Sequence, residues 1–334
     1  MRVLHVGLGP LGRRIASDLY LRGIGEVVAA VDTSDAIRGK PFAEFVPQAR
    51  GTVLGSFEEV RDWKAFDAAV VTTSSDLAKC ADTFRVLLRR GLPVVSTCEE
   101  LLYPWLRHAE LAEELDALAK EHGGRLLGTG VNPGFLMDTL PAMATAICRD
   151  VRRVRIWRVQ DASTRREPFQ RKIGAGLDRE GFSKGAMDGS LRHVGLGESL
   201  FFLADRLGIE LTNWRESLEQ VRATKPLNCA WGEIPAGNGA GVRQIAVGMC
   251  GDDEVITLDF LAAIGQEDPH DRIVIEGDPN VDMRWAGGVH GDTATIAITL
   301  NAVLSLVRAN PGLHTMGSVP IVTWKKGSGT VHGA

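Results

Sequence analysis

The chain has 334 residues, 44% hydrophobic and 24% charged, with a formal net charge of -4. That length suits two packed domains, and so mild a charge gives no electrostatic reason to bind nucleic acid or an anionic membrane. No apolar run approaches the ~20 residues that cross a bilayer, the opening MRVLHVGLGP is not a secretory signal, and five scattered cysteines without a CxxC pair indicate neither a metal site nor a disulfide framework, so a reducing cytoplasm is the expected compartment.

The first half alternates short apolar runs with helical patterns. Strands are predicted at 3–6, 27–31, 68–72, 94–97 and 125–127. Helices are predicted at 11–22, 57–63 behind Ser56, 76–90 behind Ser74 and Ser75, and 104–121 before Gly123. This βα alternation implies a doubly wound parallel sheet, an N-terminal Rossmann domain. After about residue 150 the pattern changes. Residues 151–160 read as a long strand, 161–195 as long Arg-, Lys-, Gly- and Ser-rich loops, and 198–207 as a helix. Two β-rich runs flank Gly251-Asp252-Asp253, a hairpin signal. The expectation is an α+β second domain with an open, largely antiparallel sheet. Residues 293–309 return to a helical pattern, with Asp292 as its cap, and the tail 325–334 is Gly-rich and expected to fray. The predicted division is 1–140 with 287–334 as a discontinuous dinucleotide-binding domain, and 141–286 as a substrate and oligomerisation domain. An open sheet needs covering, so a homodimer is expected.

The first turn reads Gly7-Leu8-Gly9-Pro10-Leu11-Gly12, between a strand and a helix. Gly7 serves the tight turn, Gly9 the approach of a pyrophosphate and Gly12 close helix–strand packing, while the helix N-terminus offers free N–H groups to the anion. Asp32, twenty residues beyond Gly12 at the end of the second strand, suits the ribose hydroxyls of NAD. Arg38 and Lys40 lie close enough in sequence to offset its charge, so NADP stays open as the alternative.

In such a sheet the ligand lies at the carboxyl ends of the strands. Those ends carry Thr72-Thr73-Ser74-Ser75, Ser96-Thr97-Cys98-Glu99, and Gly128-Thr129-Gly130-Val131-Asn132-Pro133-Gly134. Thr72, Thr73, Thr97, Asn132 and Pro133 are therefore cofactor candidates beside Gly7, Gly9, Pro10, Leu11, Gly12 and Asp32. Tyr103, Trp105 and Phe135 are candidates to line the substrate, although core packing is the commoner role for aromatics. No metal is expected.

The segments STCEELLYPW, GTGVNPGFLMDTL, HVGLGES and, most specifically, GGVHGDTATIAITLNAVLSLVRANPGLHTM resemble the 2,4-diaminopentanoate dehydrogenase and native amine dehydrogenase family, over residues 7 to about 320. More distantly the layout is similar to dihydrodipicolinate reductase, homoserine dehydrogenase and glucose-fructose oxidoreductase-like enzymes. The resemblance implies NAD(P)-dependent oxidative deamination of an amine, or reductive amination of a ketone with ammonia. His193 and His290 lie in the resembling motifs and are candidate substrate contacts. Alternatives are a reductase of a keto or hydroxy compound on the same fold, and a non-catalytic NAD-sensing protein.

The homoserine dehydrogenase-like and glucose-fructose oxidoreductase-like sequences place a lysine at the end of this strand, and the resemblance, aligned through Val94-Val95-Ser96-Thr97-Cys98-Glu99, implies that Glu99 occupies that lysine position. A carboxylate there attracts a substrate ammonium and can act as general base, where a lysine would repel it. Glu99 is the catalytic candidate and Glu100 the second choice. Glu100 also suits the first turn of a following helix. Cys98 as an aldehyde dehydrogenase-type nucleophile lacks an identifiable activating histidine.

Overall fold

A computed structural model describes residues 1–327; the rest of the predicted fraying tail, 328–334, lies outside the described residues. The chain divides into two compact units, residues 1–135 with 291–334, and residues 136–290.

The first unit contains β1 (Arg2–Val6), α1 (Pro10–Leu21), β2 (Glu26–Val31), β3 (Ala68–Val71), α2 (Leu77–Leu88), β4 (Pro93–Ser96), α3 (Ala109–His122) and β5 (Arg125–Gly128). The second contains α4 (Thr139–Ala144), β6 (Asp150–Asp161), α5 (Glu167–Lys172), α6 (Arg179–Met187), α7 (Leu196–Leu207), β7 (Asn213–Arg222), β8 (Leu227–Cys229), β9 (Gly232–Ile234), β10 (Gly239–Cys250), β11 (Asp253–Ala263), β12 (His270–Asp278) and β13 (Val281–Ala286). The first unit then resumes with α8 (Gly291–Leu306) and β14 (Gly312–His314).

The first unit is built on one parallel six-stranded sheet in the order β14-β5-β4-β3-β1-β2. β3 is buried throughout, as a strand covered on both faces must be. Leu77, Phe84 and Leu88 of α2 and Leu115 of α3 pack with Leu4, Val71, Val94 and Leu126 of the sheet. α8 is apolar nearly all round and mostly buried, and it packs against α1 and β4. Two of its polar residues are tied to α1 and the residue that ends it: Arg14 pairs with Asp292 at 3.1 Å, and Arg22 donates to Asn301 at 2.7 Å.

The second unit carries a six-stranded sheet in the order β13-β12-β6-β11-β10-β7, antiparallel except for β6 beside β11, with β8 and β9 as a separate hairpin. This is the expected fold class, a Rossmann sheet plus a largely antiparallel one. Leu196, Leu200 and Leu203 of α7 cover the face that holds Ile156, Leu258, Phe260 and Ile273. Asp138 caps α4 through the Thr139 N–H at 2.6 Å and accepts from Ser199 Oγ of α7 at 2.7 Å, fully buried.

Several local expectations need correction. Residues 57–63 form no α-helix; short 3₁₀ turns stand at Phe57–Glu59 and Trp63–Ala65, and Ser56 makes no cap bond. α2 is capped by Asp76, which accepts from Lys79 N–H at 3.1 Å, rather than by Ser74 or Ser75. Pro104 opens only a 3₁₀ turn, Pro104–Leu106, closed by the Arg107 N–H on the Pro104 carbonyl, and α3 starts at Ala109. The supposed loops at 161–195 contain α5 and α6. Asp292 lies in the first turn of α8, which opens at Gly291. β7, β8 and β9 were not expected at all.

Candidate active site

Gly7 adopts φ +91°, a left-handed conformation that only glycine takes at low cost. Gly12 permits close approach: a Cβ there would stand 2.2 Å from the Gly7 carbonyl and 2.5 Å from Thr72 Oγ1. Pro10 occupies the first turn of α1, where its fixed φ is already helical and its missing N–H costs nothing. Gly9 is different, since a Cβ added there would meet nothing within 4 Å. The backbone at Gly9 is thus bare toward open space, as a pyrophosphate cradle requires.

A cleft of about 510 Å³ opens at this turn, lined among others by Gly7, Gly9, Asp32, Ser56, Glu58 and Thr72–Ser74. Asp32 is fixed by two backbone donors, Leu8 N–H at 2.6 Å and Ser34 N–H at 2.9 Å, one on each oxygen. Each carboxylate oxygen keeps a further lone pair for a ribose hydroxyl. The residues present therefore fit a dinucleotide. Leu54 bonds β2 alongside Ala30 and Asp32, which brings Ser56 and Glu58 next to Asp32.

Glu99 and Glu100 open a 3₁₀ turn, Glu99–Leu102, directly after Cys98. The turn lies close on the end of β5: a Cβ at Gly128 would fall 2.6 Å from Leu101. Both acids are half-buried, and their surroundings differ. Glu100 Oε2 accepts from the Leu77 N–H at 2.8 Å and lies 3.0 Å from His108 Nε2. It serves the N-terminus of α2 rather than a helix of its own, so the dipole argument holds but for a different helix. Glu99 is the acid nearest the end of β4. Cys98 is buried and its thiol donates to the Ser75 carbonyl at 3.2 Å. The neighbouring Cys80 thiol, burial and the charge of Glu99 push Cys98 far above the ordinary thiol range, which removes it as a thiolate nucleophile.

The loop after β5 is braced. Thr129 N–H donates to the Ser96 carbonyl at 2.9 Å, and Val131 N–H to Thr295 Oγ1 of α8 at 3.2 Å. Within it, Thr129 Oγ1 and both amide atoms of Asn132 are buried with no hydrogen-bond partner among the described residues. An unsatisfied buried polar group costs about 1–3 kcal/mol, so three on one loop mark a place built for something else. The sheet thus gathers Gly7, Gly9, Pro10, Leu11, Gly12, Asp32, Thr72, Thr73, Thr97, Glu99, Asn132 and Pro133 along the carboxyl ends of adjacent strands. Tyr103 and Trp105 meet edge to face at 5.3 Å, with Trp105 38% exposed, and Phe135 is half-buried at the end of the loop.

His193 and His290 belong to the second unit. The His193 ring packs on Phe260 at 4.6 Å, and Gln244 brackets its backbone, accepting from its N–H at 2.7 Å and donating to its carbonyl at 3.0 Å. Burial holds its pKa down at about 3, helped by the nearby charges of Lys172 and Arg158. His290 is exposed and follows Val289, whose N–H and carbonyl are gripped by Asp271 (2.7 Å) and Arg158 (3.2 Å). Arg158 is itself 2% exposed. Among the described residues, no group of three His, Cys, Asp or Glu is placed to hold a metal ion.

His5 carried no sequence signal, being one polar residue in an apolar strand. It is buried beneath the glycine turn, with Nε2 3.1 Å from the Gly7 carbonyl and 3.4 Å from Thr72 Oγ1. Burial lowers its pKa from 6.5 to about 4. The folded state refuses a proton that the unfolded chain accepts below pH 6.5. Its contribution is therefore complete above that pH and is lost as pH falls toward 4. We predict that His5 alone removes about 2 kcal/mol of stability between about pH 7 and pH 5. Urea unfolding of wild type and His5→Leu at both values checks this; equal pH slopes for the two proteins would refute it. Glu58 and Thr129 were likewise not singled out, because only tertiary placement distinguishes them.

A family model described as the 2,4-diaminopentanoate dehydrogenase C-terminal domain matches residues 135–329. The chain is 32% identical over 331 residues to 2,4-diaminopentanoate dehydrogenase of Acetoanaerobium sticklandii, covering 96% of this chain and 94% of that protein. It is 26% identical over 286 residues to an amine dehydrogenase of Streptomyces virginiae, covering 76% and 77%. Among solved structures, the amine dehydrogenase from Mycobacterium smegmatis superposes with a TM-score of 0.84 at 22% identity, over 98% of both chains.

Proposed function

The chain belongs to the 2,4-diaminopentanoate dehydrogenase family, and on that footing we propose that it is an NAD(P)-dependent oxidoreductase of CH–NH2 groups, deaminating an amine or aminating a ketone with ammonia. The observation that carries this reading is the pair at the end of β4: Glu100 is committed to α2 and His108, and Glu99 stands at the strand end beside the β5 loop. The cofactor, when bound, accepts hydride from the nitrogen-bearing carbon. Glu99 attracts the substrate ammonium and takes one of its protons, which frees the nitrogen lone pair to expel hydride. Water then adds to the iminium carbon, and ammonia leaves as the carbonyl forms. Tyr103, Trp105 and Phe135 offer apolar surface to the carbon skeleton. The predicted domain 1–140 with 287–334 is assigned to the cofactor and 141–286 to substrate recognition and subunit pairing, with His193 and His290 as the assigned substrate contacts, His290 from the segment just past that boundary. The direct test is amine-dependent reduction of NAD with release of ammonia; a panel of amines that gives neither would refute the activity.

NAD is the preferred form. Asp32 and Glu58 line the same cleft, and both are acids that repel a 2′-phosphate. Arg38 is paired with Asp35 and Lys79 with Asp76, so neither cation is uncommitted. Like-charge contact costs several kcal/mol, which predicts NADH binding at least ~100-fold tighter than NADPH. Calorimetric titration checks it, with Asp32→Ser/Glu58→Gln expected to narrow the gap; equal affinities in wild type would count against it.

A homodimer is proposed because one face of the second sheet covers α7 while the other leaves Trp157, Ile245, Leu261 and Val274 half-exposed. Light scattering at the mass of one chain would exclude it. A reducing cytoplasm is proposed because all five cysteines are free.

A further inference from the structure

Asn132 presents an unusual combination. Its side-chain oxygen and nitrogen are both buried, and neither has a partner among the described residues. Three residues earlier on the same loop, Thr129 is 4% exposed and its hydroxyl is also unsatisfied. The backbone around them is tightly set rather than slack. A Cβ at Gly134 would fall 2.4 Å from the Gly130 nitrogen, and Thr295 of α8 holds Val131. Such a frame holds the Asn132 amide in place with both of its hydrogen-bonding edges still to be filled.

The chemistry of that amide restricts its partner. It offers an acceptor oxygen and two donor hydrogens on a nitrogen bonded to the same carbon. A carboxylate or phosphate would satisfy only the nitrogen. An ammonium would satisfy only the oxygen. A primary carboxamide satisfies both at once, amide against amide. Position narrows the choice further. β5 is four strands from β2 in the sheet order, roughly 19 Å at the usual ~4.8 Å spacing. Asp32 at the end of β2 belongs with the adenosine ribose, so the far end of an extended dinucleotide falls near β5.

We propose that Asn132, with Thr129 three residues before it on the same loop, is the seat of the nicotinamide carboxamide. The inference rests on the dinucleotide reading above and adds to it which residues hold the reacting ring. A ring held by its carboxamide cannot turn about its glycosidic bond. Asn132 is then a positioning residue for hydride transfer, acting on the cofactor and leaving the substrate amine to Glu99.

Binding measurements test this without turnover. NADH, ADP-ribose and the reduced 3-acetylpyridine analogue of NADH are titrated by calorimetry into wild type, Asn132→Leu and Thr129→Val. ADP-ribose lacks the nicotinamide, and the analogue lacks the carboxamide nitrogen. Wild type is expected to bind NADH at least tenfold more tightly than the analogue. Asn132→Leu is expected to lose 10- to 100-fold in NADH affinity, to keep ADP-ribose affinity within twofold, and to lose its preference for NADH over the analogue. Thr129→Val, which keeps the side-chain shape, should lose a smaller factor in the same pattern. If NADH and ADP-ribose weaken together in both variants, the residues are structural and the proposal fails. If NADH binding is unchanged, the amide serves another group and the proposal fails while the cofactor reading stands. If wild type binds neither NADH nor ADP-ribose, the cofactor reading itself falls.

Discussion

Glu99→Gln should lower turnover by at least about 100-fold, the usual contribution of a positioned general base, while the dissociation constant for NADH stays within twofold. The amide keeps the shape of the side chain and removes both the charge that draws the ammonium and the basic oxygen that takes its proton. The neighbouring acid supplies the control. Glu100 accepts from the first N–H of α2 and meets His108, so Glu100→Gln weakens a cap and a polar contact. That costs about 1 kcal/mol of stability and changes turnover only a few-fold. Steady-state kinetics, NADH titration and thermal melts on both variants separate the two roles. Turnover of Glu99→Gln within a few-fold of wild type, or a larger loss from Glu100→Gln, would reverse the assignment.

Asp271→Asn should be the most destabilising single change in the second unit. Asp271 and Arg158 face each other across β12 and β6, 3.0 Å apart, and are 4% and 2% exposed. Burial depresses the Arg158 pKa, with Asp271 opposing that fall, but a guanidinium still does not give up its proton. Removing the carboxylate charge leaves that cation buried and unpaired, at a cost of about 3–5 kcal/mol. That is at least about a fifth of an ordinary domain's stability. The pair also holds both backbone groups of Val289, so the loss extends to the segment that carries His290. Replacing both partners by apolar residues, Arg158→Met with Asp271→Leu, should recover most of the loss, since neither charge then remains buried. Denaturant unfolding of the single and double variants decides it; a double variant less stable than Asp271→Asn would contradict the electrostatic explanation.

The first unit was readable because a parallel sheet writes itself as short continuous apolar runs, and because Gly7, Gly9 and Gly12 stand between a strand and a helix. The second unit was less so. β7 is an edge strand whose inward positions, Trp214, Glu216, Leu218 and Gln220, are half polar, so its period-two pattern is hidden. α5 and α6 are short, and α5 buries Gln170 rather than an apolar residue, with its amide bonded to Ala162 and Ala230. In the site, chain order alone put Thr72, Thr97, Glu99 and Asn132 at strand ends. Long-range contacts were invisible to it: Glu100 with Leu77, His5 beneath the glycine turn, and Arg158 with Asp271. Each joins residues whose partnership no local pattern encodes.

Nitrogen chemistry at Glu99 requires that reduction of a ketone depend on ammonia. It is tested most directly by following NADH consumption with a panel of ketones, with and without ammonia. The expected result is consumption that requires ammonia and disappears in Glu99→Gln. Ammonia-independent consumption would make the protein a carbonyl reductase, and tight NADH binding without consumption would make it a sensor; either result would contradict the account.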